Sequence, residues 1–144
     1  MDYNTVSPED FGAGLRGMGL NLLVRDVQAH VEFLTDLFGM AAFQPSADFA
    51  ILRYGDQVFQ LHSDGAFANH PLSGLLPDIP PRGAGIELRL YETDPDQAAA
   101  RATELGAVVL QAPKNKPHGP REAVILDPDG YAWVPSRPLT AEDK

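Results

Sequence analysis

The chain has 144 residues, of which 44% are hydrophobic and 22% charged, as in ordinary globular proteins with a substantial core. Its net charge of −9 argues against nucleic acid and an anionic membrane surface as partners, and the absence of cysteine excludes disulfides and cysteine-ligated metal sites. No apolar run approaches the about 18 residues of a membrane span, so we expect a soluble, cytoplasmic protein.

The first half of the chain predicts a strand, a helix and three more strands. Residues 1–16 are polar and interrupted by proline and glycine, which predicts a loosely attached arm. Residues 18–24 are typical of a strand, and Asp26 is a favourable N-cap for a helix over 27–38. Three strands are then expected, over 40–44, 48–54 and 57–62, the last two joined by a tight turn.

The segment 63–84 contains repeated prolines and glycines, which make a regular element unfavourable there. It is too long for a plain connection, and we expect either an ordered lid or a linker between two halves.

The second half of the chain repeats the pattern of the first. A strand is expected over 85–90, and Asp94-Pro95 is a strong start for a helix that ends before Gly106. A strand over 107–112, a proline-rich loop and a hairpin follow. The hairpin turns at Asp127-Pro128-Asp129-Gly130 and is expected to end at Pro135, leaving a polar tail.

This repetition predicts an α+β fold of two βαβββ modules within one domain of residues 1–144. The modules are expected over 17–62 and 85–138, with 63–84 connecting them. Each sheet would be covered by a helix on one face only. Two such sheets form a cupped, incomplete barrel, whose strand side chains would line a ligand site.

Three segments carry a family resemblance: LLVRDVQAHVEFLTDLFGM, GIELRLYETDPDQAAARATELGA and GPREAVILDPDGYAWV. Together they resemble the vicinal oxygen chelate superfamily, which includes glyoxalases, extradiol dioxygenases and bleomycin-resistance proteins. The last segment is most similar to the glyoxalase/bleomycin-resistance-like branch. The resemblance implies the glyoxalase/bleomycin-resistance fold and, for function, many different chemistries.

The resemblance also implies where a metal would be bound in this superfamily. The four ligand positions fall on Gly19, Gln60, Glu87 and Val134, with Asn21 replacing Gly19 if the first strand is shifted by two. Glycine and valine have no donor atom, and one amide with one carboxylate is a poor set for a transition metal. We therefore expect neither a metal nor another cofactor.

Alternation along the strands directs a group of polar side chains into the cup, away from the helices. These candidate ligand-binding residues are Asn21, Gln60, His62, Glu87 and Arg89, and Arg121 is added at the rim. Glu87 is also the candidate catalytic base, because burial would raise the pKa of its carboxyl.

Each of these residues has an alternative role. Glu87 would form an internal ion pair with Arg89 or Arg53, and His62 would be a solvated side chain at a strand end. The two amides would bond each other or water, and Arg121 would form a surface ion pair with Glu122.

Three functional hypotheses follow, and the sequence leaves open whether the protein is an enzyme. The first is a metal-free binding protein of the bleomycin-resistance type that sequesters a small organic molecule, and the acidic charge of the chain suits a cation. The second is a metal-free isomerase or lyase with Glu87 as the base. The third, a metal-dependent glyoxalase or dioxygenase, is disfavoured by the ligand positions. We also expect a homodimer, with Trp133, Phe43 and the 63–84 segment offering apolar surface.

Overall fold

The structure is a computed structural model that describes residues 1–143. The chain divides into two compact units, Met1–Leu76 and Pro77–Lys144. Each unit contains one four-stranded sheet, and the predicted single-domain organisation stays a prediction. Within residues 1–143 no helix has the length and apolar character needed to cross a membrane.

The first unit contains two α-helices and four strands. They are α1 (Pro8–Gly14), β1 (Asn21–Val24), α2 (Val27–Phe38), β2 (Ala41–Phe43), β3 (Phe49–Tyr54) and β4 (Gln57–Ser63). The strand order is β1-β4-β3-β2, in which β1 and β4 are parallel and the other pairs are antiparallel. Two short 3₁₀ helices, Asp64–Phe67 and Pro71–Leu75, occupy part of the segment for which no regular element was expected.

The second unit has the same topology. Its elements are β5 (Glu87–Leu90), α3 (Pro95–Glu104), β6 (Val108–Asn115), β7 (Pro120–Leu126) and β8 (Ala132–Pro138), followed by the 3₁₀ helix Ala141–Asp143. The order β5-β8-β7-β6 again combines one parallel pair with two antiparallel pairs. The α+β fold with two βαβββ modules is therefore confirmed.

The two long helices begin and end at the residues that the sequence indicates. Asp26 accepts a hydrogen bond from the amide of Ala29 at 3.1 Å, and Gly39 ends α2 in the left-handed conformation with φ of 68°. Asp94 accepts from the amide of Asp96 at 2.9 Å and precedes Pro95 at the first position of α3.

The core of each unit lies between its sheet and its long helix. In the first unit the sheet contributes Leu22, Leu52 and Leu61, each at most 5% exposed, and α2 contributes its apolar stripe. In the second unit α3 presents three buried alanines to a face that includes Ile125 and Trp133. Trp133 is only 2% exposed, so the expectation that it offers apolar surface to a second subunit is wrong.

The expected turn at residues 127–130 is confirmed. The amide of Gly130 donates to the carbonyl oxygen of Asp127 at 2.9 Å, and Gly130 adopts a φ of 87°. The buried carboxylate of Asp127 accepts hydrogen bonds from the amides of Asp129 and Tyr131 and from the indole of Trp133, at 2.9, 3.1 and 3.0 Å. One aspartate thus joins the turn to the core.

The N-terminal arm, residues 1–16, differs from the expectation of loose attachment. Ser7 caps α1 by accepting from the amide of Asp10 at 3.1 Å, and Pro8 occupies the first turn. Phe11 is buried and its ring lies 6.4 Å from that of Phe49 in β3. The arm is therefore an ordered, packed part of the first unit.

Two strands run further than their prolines suggested. β6 passes through Pro113 at a shift of register between Gln111 and Lys114, a position where a proline is tolerated because the ladder is already interrupted. β8 continues beyond Pro135 because Ser136 pairs with Glu122 in β7. The predicted end of the hairpin at Pro135 is wrong by three residues.

Candidate functional site

The polar residues expected on β1 and β4 lie together on one face of the first sheet. The two strands place Asn21 opposite Gln60 and Leu23 opposite His62, and paired residues direct their side chains to the same face. Leu22 and Leu61 point to the opposite face, which α2 covers. We call the side that carries Asn21, Gln60 and His62 the distal face of the first sheet.

A hydrogen bond links the two central polar residues of this face. Oε1 of Gln60 lies 3.1 Å from Nε2 of His62, and both side chains are half-buried. The imidazole packs between aromatic rings, with centroids 5.2 Å from Phe49 and 4.8 Å from Phe67. Burial lowers the pKa of His62 below its usual value of 6.5, which favours the neutral ring near neutral pH. The expected alternative of a solvated histidine does not describe this environment.

A cavity of about 920 Å³ lies between the N-terminal arm and the beginnings of β1 and β4. Its size falls within the range of small-molecule sites. The lining combines apolar and aromatic residues with polar ones. The apolar and aromatic residues include Tyr3, Phe11, Leu20, Val58 and Phe59, the polar ones are Arg16, Asp56 and Gln57, and Gly19 also lines the cavity.

The cavity adjoins the distal face of the first sheet. Val58 shares that face with Gln60 by alternation along β4, and it is paired with Arg53 of β3. A Cβ built on Gly19 meets no other atom within 4 Å, so the absence of a side chain there leaves open space. The position at which the superfamily resemblance implies a metal ligand is therefore part of the cavity lining in this chain.

The second sheet also has a distal face, the one turned away from α3, and it carries Glu87 and Arg89. Arg89 donates to Glu87 and, at 2.7 Å, to Glu122 of β7. Burial lowers the pKa of Arg89, but the hydrogen bonds to Glu122 and Glu87 outweigh burial and raise it above its usual value. Nε2 of His118 lies 3.7 Å from the second oxygen of Glu122.

Glu87 forms an ion pair with Arg89, which is the alternative role expected from the sequence. Its side chain is 58% exposed, whereas the expected role as a base depended on burial. Glu122, with a side chain only 6% exposed, is the buried carboxylate of this face. From the sequence, Glu122 was expected only as a partner of Arg121. Alternation with Val124 and Leu126 along β7 is the signal that could have placed it on the distal face.

Arg121 lies on the opposite side of the second sheet from Glu87 and Arg89. Its guanidinium donates two hydrogen bonds of 2.7 Å to the carboxylate of Asp96 on α3 and one of 2.9 Å to Asn115. The hydrogen bond from Arg121 holds the pKa of Asp96 below its usual range. The expected ion pair with Glu122 is wrong because consecutive strand residues face opposite sides of the sheet.

The side chains at the implied metal-ligand positions do not fit a metal. Gly19 has no donor atom. Val134 has a fully buried aliphatic side chain and lies opposite Arg89 in the β5–β8 strand pair. The oxygen of Gln60 is bonded to His62, and the carboxylate of Glu87 is paired with Arg89. Within residues 1–143 no three histidine, aspartate or glutamate side chains are grouped as they are around a metal ion.

Comparison with known families agrees with this topology. Residues 19–134 match the Glyoxalase/Bleomycin resistance protein/Dioxygenase superfamily. The chain belongs to this superfamily. The match begins after the N-terminal arm and ends within β8, the last strand of the second module. A search of the curated proteins gives no match.

Solved structures of the superfamily share the fold at low sequence identity. A glyoxalase/bleomycin resistance protein/dioxygenase family enzyme from Burkholderia phytofirmans PsJN is 22% identical with a TM-score of 0.68, over 83% of this chain and 96% of its own. Lactoylglutathione lyase from Agrobacterium tumefaciens is 21% identical with a TM-score of 0.61, over 85% and 92%. Fosfomycin resistance protein FosX from Mesorhizobium loti is 16% identical with a TM-score of 0.60, over 89% and 97%.

The aromatic part of the site was not predicted from the sequence. The rings of Phe49 and Phe67 flank His62, and Tyr3 and Phe11 of the N-terminal arm line the cavity. Phe49 could have been found by alternation along β3. The arm could have been found from Ser7-Pro8, a cap followed by a proline, which indicates the start of a short helix.

Proposed function

We propose that the protein binds a small organic molecule on the distal face of the first sheet without a metal, as a member of the bleomycin-resistance-like branch. The observation that carries this proposal is the pair Gln60–His62, set between the rings of Phe49 and Phe67. Rings provide apolar contact area, and an amide with a neutral imidazole provides donors and acceptors that orient a ligand.

The metal-free part of the proposal is supported by the donor set. Catalytic metal sites of this type use about three protein ligands, and the implied positions supply one amide and one carboxylate, each already bonded to a neighbouring side chain. Neither side chain is an imidazole, the most common ligand for zinc, copper and iron in proteins.

A metal-free isomerase or lyase with Glu87 as the base is the second candidate, and the ion pair with Arg89 disfavours it. The guanidinium of Arg89 occupies the carboxylate that would have to accept the substrate's proton. Glu87→Gln separates the two candidates: the binding proposal expects ligand affinity to be unchanged. Loss of turnover with retained binding would instead establish the enzyme.

The test of the proposed function is a thermal-shift screen against metabolites and antibiotics, combined with metal analysis of the purified protein. A ligand at 100 times its Kd raises stability by about 2.7 kcal/mol, which gives a clear shift. We expect Gln60→Ala and His62→Ala each to weaken the binding of any ligand found. Arg101→Ala, an exposed change on α3, is the control and should leave binding unchanged.

Two results would contradict the proposal. One is a stoichiometric transition metal in protein purified without added metal. The other is a ligand whose shift is the same in Gln60→Ala, His62→Ala and the unaltered protein. The predicted homodimer is tested separately, by light scattering of the same samples.

A further inference from the structure

We infer that Phe67 is a gate over the Gln60–His62 pair and that His70 keeps this gate closed. Phe67 lies in the 3₁₀ helix Asp64–Phe67, directly after β4, and His70 precedes the 3₁₀ helix Pro71–Leu75. The inference rests on the proposed function, because it assigns a means of access to the same face of the first sheet.

Both faces of the His62 imidazole are covered by rings. The centroid of Phe49 lies 5.2 Å from that of His62, and the centroid of Phe67 lies 4.8 Å from it. Aromatic rings in direct contact have centroids about 4.5–7 Å apart, so no third ring fits between these pairs. A ligand that stacks on His62 must therefore displace one of the two phenylalanines.

The imidazole of His62 also keeps one acceptor for a ligand. The amide oxygen of Gln60 accepts from Nε2 at 3.1 Å, which leaves the lone pair of the neutral ring on Nδ1. Among residues 1–143, no group donates a hydrogen bond to this Nδ1.

The two covering rings differ in how firmly their backbone is held. Phe49 belongs to β3 and is paired with His62 itself in the β3–β4 ladder, and its ring also contacts Phe11. In contrast, neither of the two 3₁₀ helices that follow β4 contains a buried residue. Segments with few buried contacts open at the lowest cost in free energy, so Phe67 is the ring that moves.

The beginning of the moving segment is fixed to the sheet. Oγ of Ser63, a residue only 8% exposed, accepts from the amide of Ala66 at 3.2 Å and donates to the carboxylate of Asp48 at 2.6 Å. Opening therefore moves the chain beyond Ala66 and leaves the polar residues of β4 in place.

His70 holds the opposite face of the Phe67 ring. The two rings are stacked, with centroids 4.8 Å apart and 30° between their planes. Nδ1 of His70 accepts from the amide of Leu72 at 3.1 Å, and the backbone amide of His70 donates to the carbonyl oxygen of Phe67 at 2.8 Å. One residue thus positions both the gate and the helix that follows it.

The test is modification of the full chain at neutral pH with diethyl pyrocarbonate, which reacts with accessible neutral imidazoles, followed by mass spectrometry of the peptides. The side chain of His118 is 63% exposed and gives the rate of an open imidazole. His30 is fully buried, so its modification reports global unfolding of the first unit. In the unaltered protein we expect His62 to react at least about tenfold more slowly than His118, and His30 not to react.

Variants of the gate should change the rate at His62 alone. Phe67→Ala loses two ring contacts, each of which shifts an equilibrium about two- to tenfold, and should raise the rate of His62 modification about tenfold or more. His70→Ala loses one ring contact and should raise this rate about two- to tenfold, whereas His70→Phe, which keeps a ring, should raise it less. Leu72→Ala, which truncates another exposed side chain of the segment, is the matched control and should leave the rate unchanged.

Three results would overturn the inference. They are an unchanged rate at His62 in Phe67→Ala, equal rates in His70→Ala and His70→Phe, and modification of His30 as fast as that of His62, since access would then come from global unfolding. His70→Ala changes an exposed side chain and so keeps the test valid if Phe67→Ala does not fold.

Failure of this inference is distinguishable from failure of the proposed function, because the modification experiment needs no ligand. If a screened ligand depends on Gln60 and His62 while the modification of His62 ignores Phe67→Ala, the binding function stands and Phe67 is not a gate. If the rate at His62 follows the variants but no screened ligand depends on Gln60 or His62, the gate stands and the proposed function fails.

Discussion

The side-chain amide of Gln44 donates a 2.8 Å hydrogen bond to the carbonyl oxygen of Tyr3, 41 residues earlier in the chain. The same nitrogen lies 3.0 Å from the carbonyl oxygen of Val6. Gln44 adopts a φ of 49°, a left-handed backbone conformation that residues other than glycine rarely take. The residue that holds the arm is therefore itself in a backbone conformation that glycine would adopt with less cost.

This relationship predicts that Gln44→Gly releases the arm without unfolding the first unit. The variant loses both hydrogen bonds, each worth about 1 kcal/mol, but gains a residue suited to the backbone. We expect chymotrypsin to cleave after the buried Phe11 roughly tenfold faster than in the unaltered protein. Cleavage after the exposed Tyr91 is the internal control and should not change. Unchanged protection of Phe11 would show that the aromatic contacts alone hold the arm.

A second prediction concerns the carboxylate of Asp127. Asp127→Ala leaves the indole nitrogen of Trp133 and two backbone amides without this acceptor in a buried site, and it should lower the free energy of unfolding by about 2–4 kcal/mol. Asp127→Asn keeps one oxygen and should cost less. Urea denaturation followed by the emission of the single tryptophan measures both. Equal stability of the two variants would contradict the role assigned to the acceptor oxygens.

A third prediction compares two carboxylates that share one guanidinium. Glu122 and Glu87 both accept from Arg89, but the side chain of Glu122 is 6% exposed and that of Glu87 is 58% exposed. Glu122→Ala should lower the free energy of unfolding by about 2–3 kcal/mol, because it breaks a buried pair. Glu87→Ala should cost less than about 1 kcal/mol. The two variants are compared by the same denaturation experiment, and a larger cost for Glu87→Ala would refute the ranking.

A fourth prediction follows from the lowered pKa of His62. At pH values between the lowered pKa of His62 in the folded protein and 6.5, its usual pKa, the unfolded chain binds more protons than the folded one. The free energy of unfolding therefore rises with pH in this window. Acidification from pH 7.5 to 5.5 should therefore destabilise the unaltered protein more than His62→Gln, which has no titrating group there. The difference in denaturation midpoints at the two pH values measures the effect. Identical shifts in both proteins would mean that His62 contributes no such linkage.

The sequence predicted the elements whose boundaries depend on local chemistry. The helix over 27–38 has the expected bounds because the side chain of Asp26 caps its start and the left-handed backbone of Gly39 ends it. The turn at 127–130 and the common face of Gln60 and His62 were found for the same reason, since a turn and an alternating strand are encoded by neighbouring residues.

The features that the sequence left out depend on residues far apart in the chain. Alternation along β7 excludes Glu122 as the partner of Arg121, but no local rule selects Asp96, which lies 25 positions away. Phe11 and Phe49 are likewise neighbours only after the arm has packed. β8 continues past Pro135 because it pairs with β5 on one side and β7 on the other. A proline rule applied to a single segment takes no account of such neighbours.

The order of the strands has a consequence for synthesis on the ribosome. In each sheet the strand made last, β4 or β8, is inserted between two strands made earlier. Until Ala132–Pro138 has left the ribosome, β5 and β7 of the nascent chain each have an unpaired edge at the place that β8 will occupy. The same holds for β1 and β3 until Ser63 has emerged, so each half of the chain passes through a stage in which two strand edges are open to edge-to-edge association.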